Sequence, residues 1–151
     1  QLRDREWPLE RRMILAARLV PLALEFGAQL MWNGTPEEAR AAGCAGVHWT
    51  AARLMTADAR PQDLLVGASC HDAAELAHAG KLDLDFAVLG TVAPTPSHPG
   101  AAVLGWDGFS ATAADTRLPV YALGGLGRGD LATAVAHGAH GIALMRGAWV
   151  S

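Results

Sequence analysis

Residues 41–48, AAGCAGVH, place a glycine directly after an alanine-rich stretch and just before a short apolar run. Residues 136–142, AHGAHGI, repeat this order near the other end of the sequence. A glycine at such a junction is typical of a helix that ends in a left-handed turn, because glycine adopts positive φ without steric cost. Residues 78–80, HAG, also predict a helix end of this kind. The chain is therefore predicted to repeat a helix, a glycine turn and a strand.

Six short apolar runs are predicted to be strands, and most of them start about 16 to 22 residues after the previous one, as βα units require. Strands joined by helices run parallel, and nearly continuous apolar strands indicate burial on both faces. A doubly wound sheet and a (β/α)8 barrel both fit this pattern. A complete barrel usually takes at least about 200 residues, whereas this sequence has 151. The predicted strands are 30–34, 46–50, 64–69, 86–92, 119–125 and 141–147.

Composition and charge argue against several kinds of partner and site. The 12 Lys and Arg against 15 Asp and Glu give a net charge of −3, which does not provide the basic surface that nucleic acid requires. No apolar run approaches the roughly 18 to 20 residues of a membrane helix, and the charged first residues do not resemble a signal peptide, so a cytoplasmic protein is expected. Cys44 and Cys70 lack a CxxC partner, so neither a zinc site nor a disulfide framework is expected. With 51% hydrophobic residues, residues 1–151 are predicted to form a single domain.

Motifs spread over the whole chain carry a family resemblance. They are QLRDR at 1–5, WNG at 32–34, GVH at 46–48, GASCH at 67–71, LGTVAPTPSH at 89–98, ALGG at 122–125 and GAHGIA at 138–143. In this order and spacing they resemble the thiamine phosphate synthase/TenI superfamily. The resemblance implies an α/β fold, namely a (β/α)8 TIM barrel of the thiamine phosphate synthase type that lacks its first strand and helix before Gln1.

Variant motifs narrow the resemblance. They are SCHD at 69–72, TPSHPG at 95–100, LGW at 104–106 and VYALGG at 120–125, and they are most similar to the TenI-type domain found fused behind a Nudix hydrolase domain. This similarity implies that the chain is the C-terminal part of a longer chain, with a Nudix hydrolase domain as a covalent partner. It also implies that the ligand is a small phosphorylated thiazole or thiamine precursor.

Phosphate binding is expected at the C-terminal ends of the strands, where the active sites of barrels lie. The family resemblance implies that Gly124, Gly125, Arg146 and Gly147 bind phosphate in the loops after the seventh and eighth barrel strands. Glycine suits this task because it lets backbone N–H groups approach an anion. Simple turn glycines remain an alternative. A dinucleotide-binding loop at 125–129 is a weaker one, because its GxGxxG spacing is broken.

The resemblance implies further ligand contacts. Gln1, Arg3 and Arg5 match residues that contact pyrophosphate and pyrimidine in the synthases, where Arg5 replaces a lysine. Without the family, these three would be solvated residues of the surface. The remaining residues of the implied binding set are Asn33, Ser69, Thr95, Ser97 and His98. The last three lie in the long loop after the sixth barrel strand, for which a proline-fixed lid is the alternative interpretation.

The resemblance also identifies two departures that concern metal. Synthases of the family carry one Asp directly after the Asn of the third strand and another a few residues after the His of the fourth, and both bind Mg²⁺. In this sequence those positions are Gly34 and Arg53. Because Mg²⁺ needs carboxylate oxygens, no metal and no other cofactor is expected, apart from Mg²⁺ if synthase activity is retained.

His71 is the expected catalytic residue. The Asn-Gly pair at 33–34 is typical of the TenI branch, which tautomerises a thiazole phosphate carboxylate without metal, and the resemblance implies that His71 transfers the proton. Histidine suits that role because its pKa lies near neutrality. The alternative is a helix start in which Asp72 and Glu75 complete the charge pattern of the first turn. Cys70 should alternate away from the site and serve as a buried small hydrophobe.

The sequence thus predicts a TenI-like thiazole phosphate tautomerase-type domain that acts in thiamine biosynthesis or salvage. One alternative is a thiamine phosphate synthase, which couples thiazole phosphate with aminopyrimidine pyrophosphate and releases pyrophosphate. The other is a non-catalytic sensor of a phosphorylated ligand, attached to a Nudix hydrolase.

Overall fold

A computed structural model, which describes residues 1–4, 6–96, 100 and 102–149, shows a parallel sheet with helices between successive strands. The strands are β1 Met31–Trp32, β2 Gly46–Trp49, β3 Leu65–Cys70, β4 Phe86–Gly90, β5 Val120–Leu123 and β6 Gly141–Ala143. The helices are α1 Leu9–Glu25, α2 Pro36–Ala41, α3 Ala51–Met55, α4 Ala73–Lys81, α5 Gly105–Ala113 and α6 Leu131–Ala136. None of the helices in these described stretches is long and apolar enough to cross a membrane.

The strands lie in the order β1-β2-β3-β4-β5-β6, so that each one pairs with the next in sequence. All five pairings are parallel. The six predicted strands are therefore confirmed, although most of them end earlier than predicted because the last residues of each apolar run leave the sheet to form a loop. Within the described residues the architecture is an α/β half-barrel of six strands, and a closed eight-stranded barrel is not seen there.

Leu2 adds one further position to this sheet. It forms an isolated parallel bridge with Trp32. The Leu2 N–H donates to the Met31 carbonyl at 2.9 Å, and the Asn33 N–H donates to the Leu2 carbonyl at 3.2 Å. Gln1 and Arg3 are consequently held beside the end of β1.

The two faces of the sheet differ in character because alternate residues of a strand point to opposite sides. On β2 and β3, the side chains of Val47, Trp49, Val66, Ala68 and Cys70 belong to the hydrophobic core, and each is at most 2% exposed. The residues that alternate with them belong to the inner face of the half-barrel.

The inner face carries a line of rings. His48, Gly67 and Phe86 are paired across β2, β3 and β4, and the rings of His48 and Phe86 lie 5.8 Å apart. The ring of Phe86 covers Gly67 so closely that a Cβ there would come 2.2 Å from it. Tyr121 continues the line, with its ring 5.9 Å from that of Phe86.

Two of the three predicted glycine helix ends are confirmed. Gly43 and Gly138 adopt φ values of 68° and 86°. The prediction for Gly80 is wrong, because α4 continues through it and the left-handed residue is Asp83, with φ 55°. The N–H groups of Asp83 and Leu84 donate to the carbonyls of Gly80 and Ala79, so the terminal turn closes after Gly80. A short polar side chain such as Asp tolerates this conformation better than most.

Candidate functional site

The C-terminal ends of the parallel strands meet at one edge of the sheet, which is where sites in barrel folds lie. A cleft of about 320 Å³ opens there beside the ends of β1 and β2. The cleft is lined by residues at the ends of these two strands and by one residue each from helices α1 and α3. The lining residues are Arg12, Asn33, Gly34, His48, Trp49, Thr50 and Arg53.

A chain of hydrogen bonds crosses the first three strands at this edge. The Nε2 atom of His48 lies 3.0 Å from the hydroxyl oxygen of Ser69. The side-chain amide of Asn33 donates to the His48 carbonyl at 3.1 Å. The structure therefore brings together two of the expected binding residues, Asn33 and Ser69, through His48, which was not among the expected ligand residues.

The imidazole of His48 is neutral at physiological pH. Burial lowers its pKa to about 4, and the positive charge of Arg3 acts in the same direction. The residue is 5% exposed. At neutral pH this ring can donate or accept a hydrogen bond but carries no charge, and Arg3 is close enough to it to influence its ionisation.

His71 lies at the outer rim of the same edge, with a side chain that is 63% exposed. Its Nδ1 atom is 3.0 Å from Glu75 Oε2, and its backbone N–H donates to that same oxygen at 2.6 Å. The side chain of Asp72 caps α4 by accepting from the Glu75 N–H. Helix capping is thus carried out by Asp72, while His71 forms an imidazole–carboxylate pair with Glu75.

Cys70 has the structural role that was predicted for it. The side chain is 1% exposed and belongs to the hydrophobic core. Burial, followed by the nearby carboxylates of Glu75 and Asp72, raises the pKa of its thiol to about 12. A thiol in this environment is protonated at neutral pH, which is incompatible with a nucleophile.

The glycine loops after β5 and β6 touch each other. A Cβ at Gly147 would lie 2.8 Å from the Leu126 carbonyl oxygen. Gly124 and Gly125 adopt φ values of 108° and 66°, and a Cβ at Gly125 would lie 2.5 Å from the carbonyl oxygen of Pro94. The loop that follows β4 therefore packs on the same glycines. Three strand-end loops thus approach one another closely at these glycines, where an added Cβ at Gly124 would also meet the Thr91 side chain at 2.6 Å.

The other expected ligand residues are distributed around this edge. Arg146 is exposed in a single 3₁₀ turn, Arg146–Ala148, after β6. Thr95 is half-buried one residue beyond Pro94, and Gln1 and Arg3 are exposed beside β1. Three further residues of the expected set lie outside the described residues, namely Arg5, Ser97 and His98.

Comparison with known proteins identifies the family. The TMP-TENI family model, described as thiamine monophosphate synthase, matches residues 1–148. The chain belongs to the thiamine monophosphate synthase family. The family predicted from the motifs is therefore confirmed, whereas nothing in the match separates the TenI branch from the synthases.

Relatives of this family are identical to the chain at about a third of the aligned positions. A thiamine-phosphate synthase homologue of Geobacter sulfurreducens is 36% identical over 149 residues, which are 96% of this chain and 70% of the relative. The bifunctional thiamine biosynthesis protein ThiM/ThiE of Symbiobacterium thermophilum is 34% identical over 96% of this chain and 31% of its own length. The thiamine-phosphate synthase of Gloeobacter violaceus is 33% identical over 97% of this chain and 44% of its own. The chain thus spans less than half of the latter two proteins.

A solved structure supports the fold assignment. Thiamine phosphate pyrophosphorylase from Pyrococcus furiosus superposes with a TM-score of 0.76 at 24% identity, over 93% of this chain and 68% of that one. Similarity at this level of identity establishes a shared fold. It agrees with a half-barrel of the type found in the thiamine monophosphate synthase family.

The Mg²⁺ ion that the family implies does not fit the residues of this cleft. A Cβ at Gly34 would lie 2.1 Å from Glu38 Oε2, so an aspartate there would displace Glu38. That same oxygen accepts hydrogen bonds from the Trp32 indole at 2.9 Å and from the Thr35 N–H at 3.0 Å. Arg53 stands at the other expected position. Among the described residues, none with a carboxylate lines the cleft, and no acidic, His or Cys cluster could hold a metal.

Arg12 was not predicted from the sequence. It reaches the cleft from α1, and its Nη1 donates to the Asn33 carbonyl at 3.2 Å. A helical pattern places an arginine on one side of a helix, but it does not state which strand end that side will face. The only sequence signal is its position in the first turn of a helix that follows strand-like residues at 1–3.

Proposed function

We propose that this chain is the substrate-binding portion of a thiamine-phosphate synthase-type transferase. Such an enzyme joins a phosphorylated thiazole to an aminopyrimidine diphosphate and releases pyrophosphate. Family membership and the named synthases among the relatives support this function over the tautomerase predicted from the motifs. Because the chain spans only part of those relatives, the activity of the whole protein is part of the proposal.

The meeting of the glycine loops is the structural observation that carries this proposal. Gly125 and Gly147 approach the backbone carbonyls of Pro94 and Leu126 so closely that a side chain at either glycine would collide with them. Backbone N–H groups in such a position suit the phosphate of a thiazole. We assign this role to Gly124, Gly125 and Gly147, with Arg146 at their rim.

The polar set on the inner face supports binding of an uncharged heterocycle. The neutral His48, its partner Ser69 and the Asn33 amide offer hydrogen bonds without a net charge. Heterocyclic rings with nitrogen donors and acceptors are recognised by groups of this kind. In the proposed function, these residues orient the heterocyclic ring of the substrate while the glycine loops bind its phosphate.

The test measures product formation by the natural full-length protein supplied with thiazole phosphate and aminopyrimidine diphosphate. Thiamine phosphate should appear together with an equal amount of pyrophosphate. Gly147→Ala, which places a Cβ 2.8 Å from the Leu126 carbonyl, should raise KM for the thiazole phosphate. Gly129→Ala, whose Cβ meets no atom within 4 Å, is the matched control. Absence of both products from correctly folded protein would refute the proposal.

A second candidate, thiazole phosphate tautomerase, is favoured by the His71–Glu75 pair. The Nδ1–Oε2 distance of 3.0 Å is that of a hydrogen bond, and a carboxylate acceptor at Nδ1 favours the tautomer that carries its proton there, as an orienting carboxylate does for a catalytic histidine. Tautomerisation moves one proton and needs no metal. The lack of fit for Mg²⁺ is compatible with it.

One substitution separates the two candidates. His71→Asn should abolish conversion of the non-aromatic thiazole phosphate, followed by NMR, if the protein is a tautomerase. The same variant should retain synthase turnover within a factor of about two if the transferase proposal is right, since the side chain lies at the exposed rim. A Nudix fusion and a sensor role stay predictions from the motif resemblance, and none of the relatives named above is a Nudix hydrolase by name.

A further inference from the structure

Two guanidinium groups converge on the cleft where the family places its metal. Arg12 comes from α1 and Arg53 from α3, and both line the same space of about 320 Å³ beside the ends of β1 and β2. The volume lies within the range of small-molecule sites. The two arginines therefore approach one cavity from two different helices.

Each guanidinium is held against the indole of a buried tryptophan. The Cζ of Arg12 lies 4.8 Å from the ring centroid of Trp32, and that of Arg53 lies 5.5 Å from the ring centroid of Trp49. Both rings are at most 2% exposed and so provide rigid supports. Contact with an aromatic face positions a guanidinium while leaving N–H groups at its edge for a ligand.

Two buried donors of the cleft residues have no partner among the described residues. They are Arg12 Nε and Trp49 Nε1, and they are the only buried side-chain nitrogens or oxygens in that part of the chain without a hydrogen bond. Buried donors are almost always paired in native proteins, because an unpaired one loses its hydration without compensation. Both atoms belong to residues that line this cleft, and an anion bound beside Arg12 would supply the acceptor that its Nε lacks.

The charge of the cleft is positive. Within the described residues neither Arg12 nor Arg53 forms an ion pair within 4 Å, and His48 is neutral. The hydrogen bond from Trp32 and, to a smaller extent, the positive charge of Arg12 lower the pKa of Glu38. The Glu38 carboxylate therefore offsets part of the charge of Arg12. The Oε2 atom of Glu38 accepts hydrogen bonds from the Trp32 indole and the Thr35 N–H. At least one positive charge is left for an anion.

We infer that Arg12 and Arg53 bind the diphosphate of the substrate directly, in place of a metal ion. The identity of the anion as a diphosphate rests on the proposed function, whereas the site itself rests on the cleft and its unpaired donors. A guanidinium offers N–H groups in a planar fork that matches phosphate oxygens. Binding at this site is therefore independent of Mg²⁺.

The test measures binding of inorganic pyrophosphate to the natural full-length protein by titration calorimetry, in EDTA and in Mg²⁺. The dissociation constant should be the same in both buffers within a factor of about three. Arg53→Ala should weaken binding about tenfold or more, which corresponds to about 1.4 kcal/mol, and Arg53→Lys should recover only part of the loss. Arg12→Lys should weaken binding as well. Arg18→Ala, an exposed arginine on α1 with Arg12, should leave it unchanged.

The outcomes distinguish this inference from the proposed function. Pyrophosphate that binds only with Mg²⁺, or that binds folded Arg53→Ala and Arg12→Lys as tightly as the parent protein, overturns the inference. Arginine-dependent binding without any thiamine phosphate formation would leave the anion site standing and refute the transferase. Thiamine phosphate formation that is unaffected by both substitutions would support the transferase and refute the anion site at Arg12 and Arg53. Circular dichroism and Tm verify that each variant is folded.

Discussion

His48 and Ser69 hydrogen-bond to each other across neighbouring strands, with 3.0 Å between Nε2 and the hydroxyl oxygen. The contact lies on the inner face of the half-barrel, whereas Cys70, one residue along β3, is buried in the hydrophobic core on the other face. A single strand thus places one polar group toward the candidate site and one thiol away from it. The pairing of β2 with β3 determines that His48 and Ser69 meet.

The stability of the protein should fall as the pH drops from about 6.5 to about 4. Burial lowers the pKa of His48 to about 4 from an ordinary value of 6.5. Between these values the unfolded chain binds a proton that the folded chain does not, so stability rises with pH and is lost on acidification. The difference between the two pKa values corresponds to at most about 3.5 kcal/mol, at about 1.4 kcal/mol per pH unit.

Urea unfolding between pH 7 and pH 4.5 measures this loss. His48→Gln, which keeps a polar side chain but does not titrate, should flatten the dependence of unfolding free energy on pH. An equally steep profile for His48→Gln would show that other groups cause the loss.

Glu38→Ala should destabilise the fold by about 1 to 3 kcal/mol, because it leaves the indole N–H of the buried Trp32 without its acceptor. The substitution also removes the capping box that Glu38 forms with Thr35. Glu37→Ala is the matched control, since the neighbouring side chain is 77% exposed and its loss should change stability by less than about 0.5 kcal/mol. Chemical denaturation compares the two, and equal effects would contradict the role given to Glu38.

Gly125→Ala should destabilise the protein by more than about 1 kcal/mol, the cost of a left-handed conformation for a residue with a Cβ. The close carbonyl of Pro94, 2.5 Å from the added carbon, increases that cost. Gly127→Ala should be nearly neutral, because its φ is −124° and the nearest atom to an added Cβ is 3.9 Å away. Thermal unfolding of both variants tests this difference, and a neutral Gly125→Ala would mean that the loop rearranges without cost.

Cys70 should resist alkylation in the folded protein. Its thiol is buried and its pKa is raised to about 12, so the reactive thiolate is scarce at pH 8. Peptide mapping after iodoacetamide treatment should find Cys70 unmodified until urea unfolds the chain, with Cys70→Ser as the control for peptide assignment. Rapid modification under native conditions would contradict the assigned burial.

The order and spacing of the strands could be predicted because the signals are local. Glycine turns such as Gly43 and Gly138 and the apolar runs that follow them require no knowledge of the rest of the fold. Gly80 shows the limit of this reasoning. A glycine also fits the interior of a helix when the backbone hydrogen bonds continue, and α4 ends at the next residue with Asp83 in the left-handed turn.

The candidate site was less accessible from the sequence because it depends on orientation across elements. The motifs indicated Asn33 and Ser69, but not that His48 connects them, since this depends on strand register. The reach of Arg12 depends on how α1 packs over Trp32. Tertiary packing determines such relationships, and a helical or alternating sequence pattern contains no information about it.

The sequential strand order also has a consequence for how the chain folds. In β2 and β3, Gly46 pairs with Leu65, and the other registers likewise join strands separated by one crossover. Contact order is therefore low for a sheet protein, and the entropy of loop closure is divided into separate small steps. An insertion in the segment 57–64 would lengthen only the loop that must close when β2 pairs with β3. Folding would slow at that step, while the remaining registers would form as before.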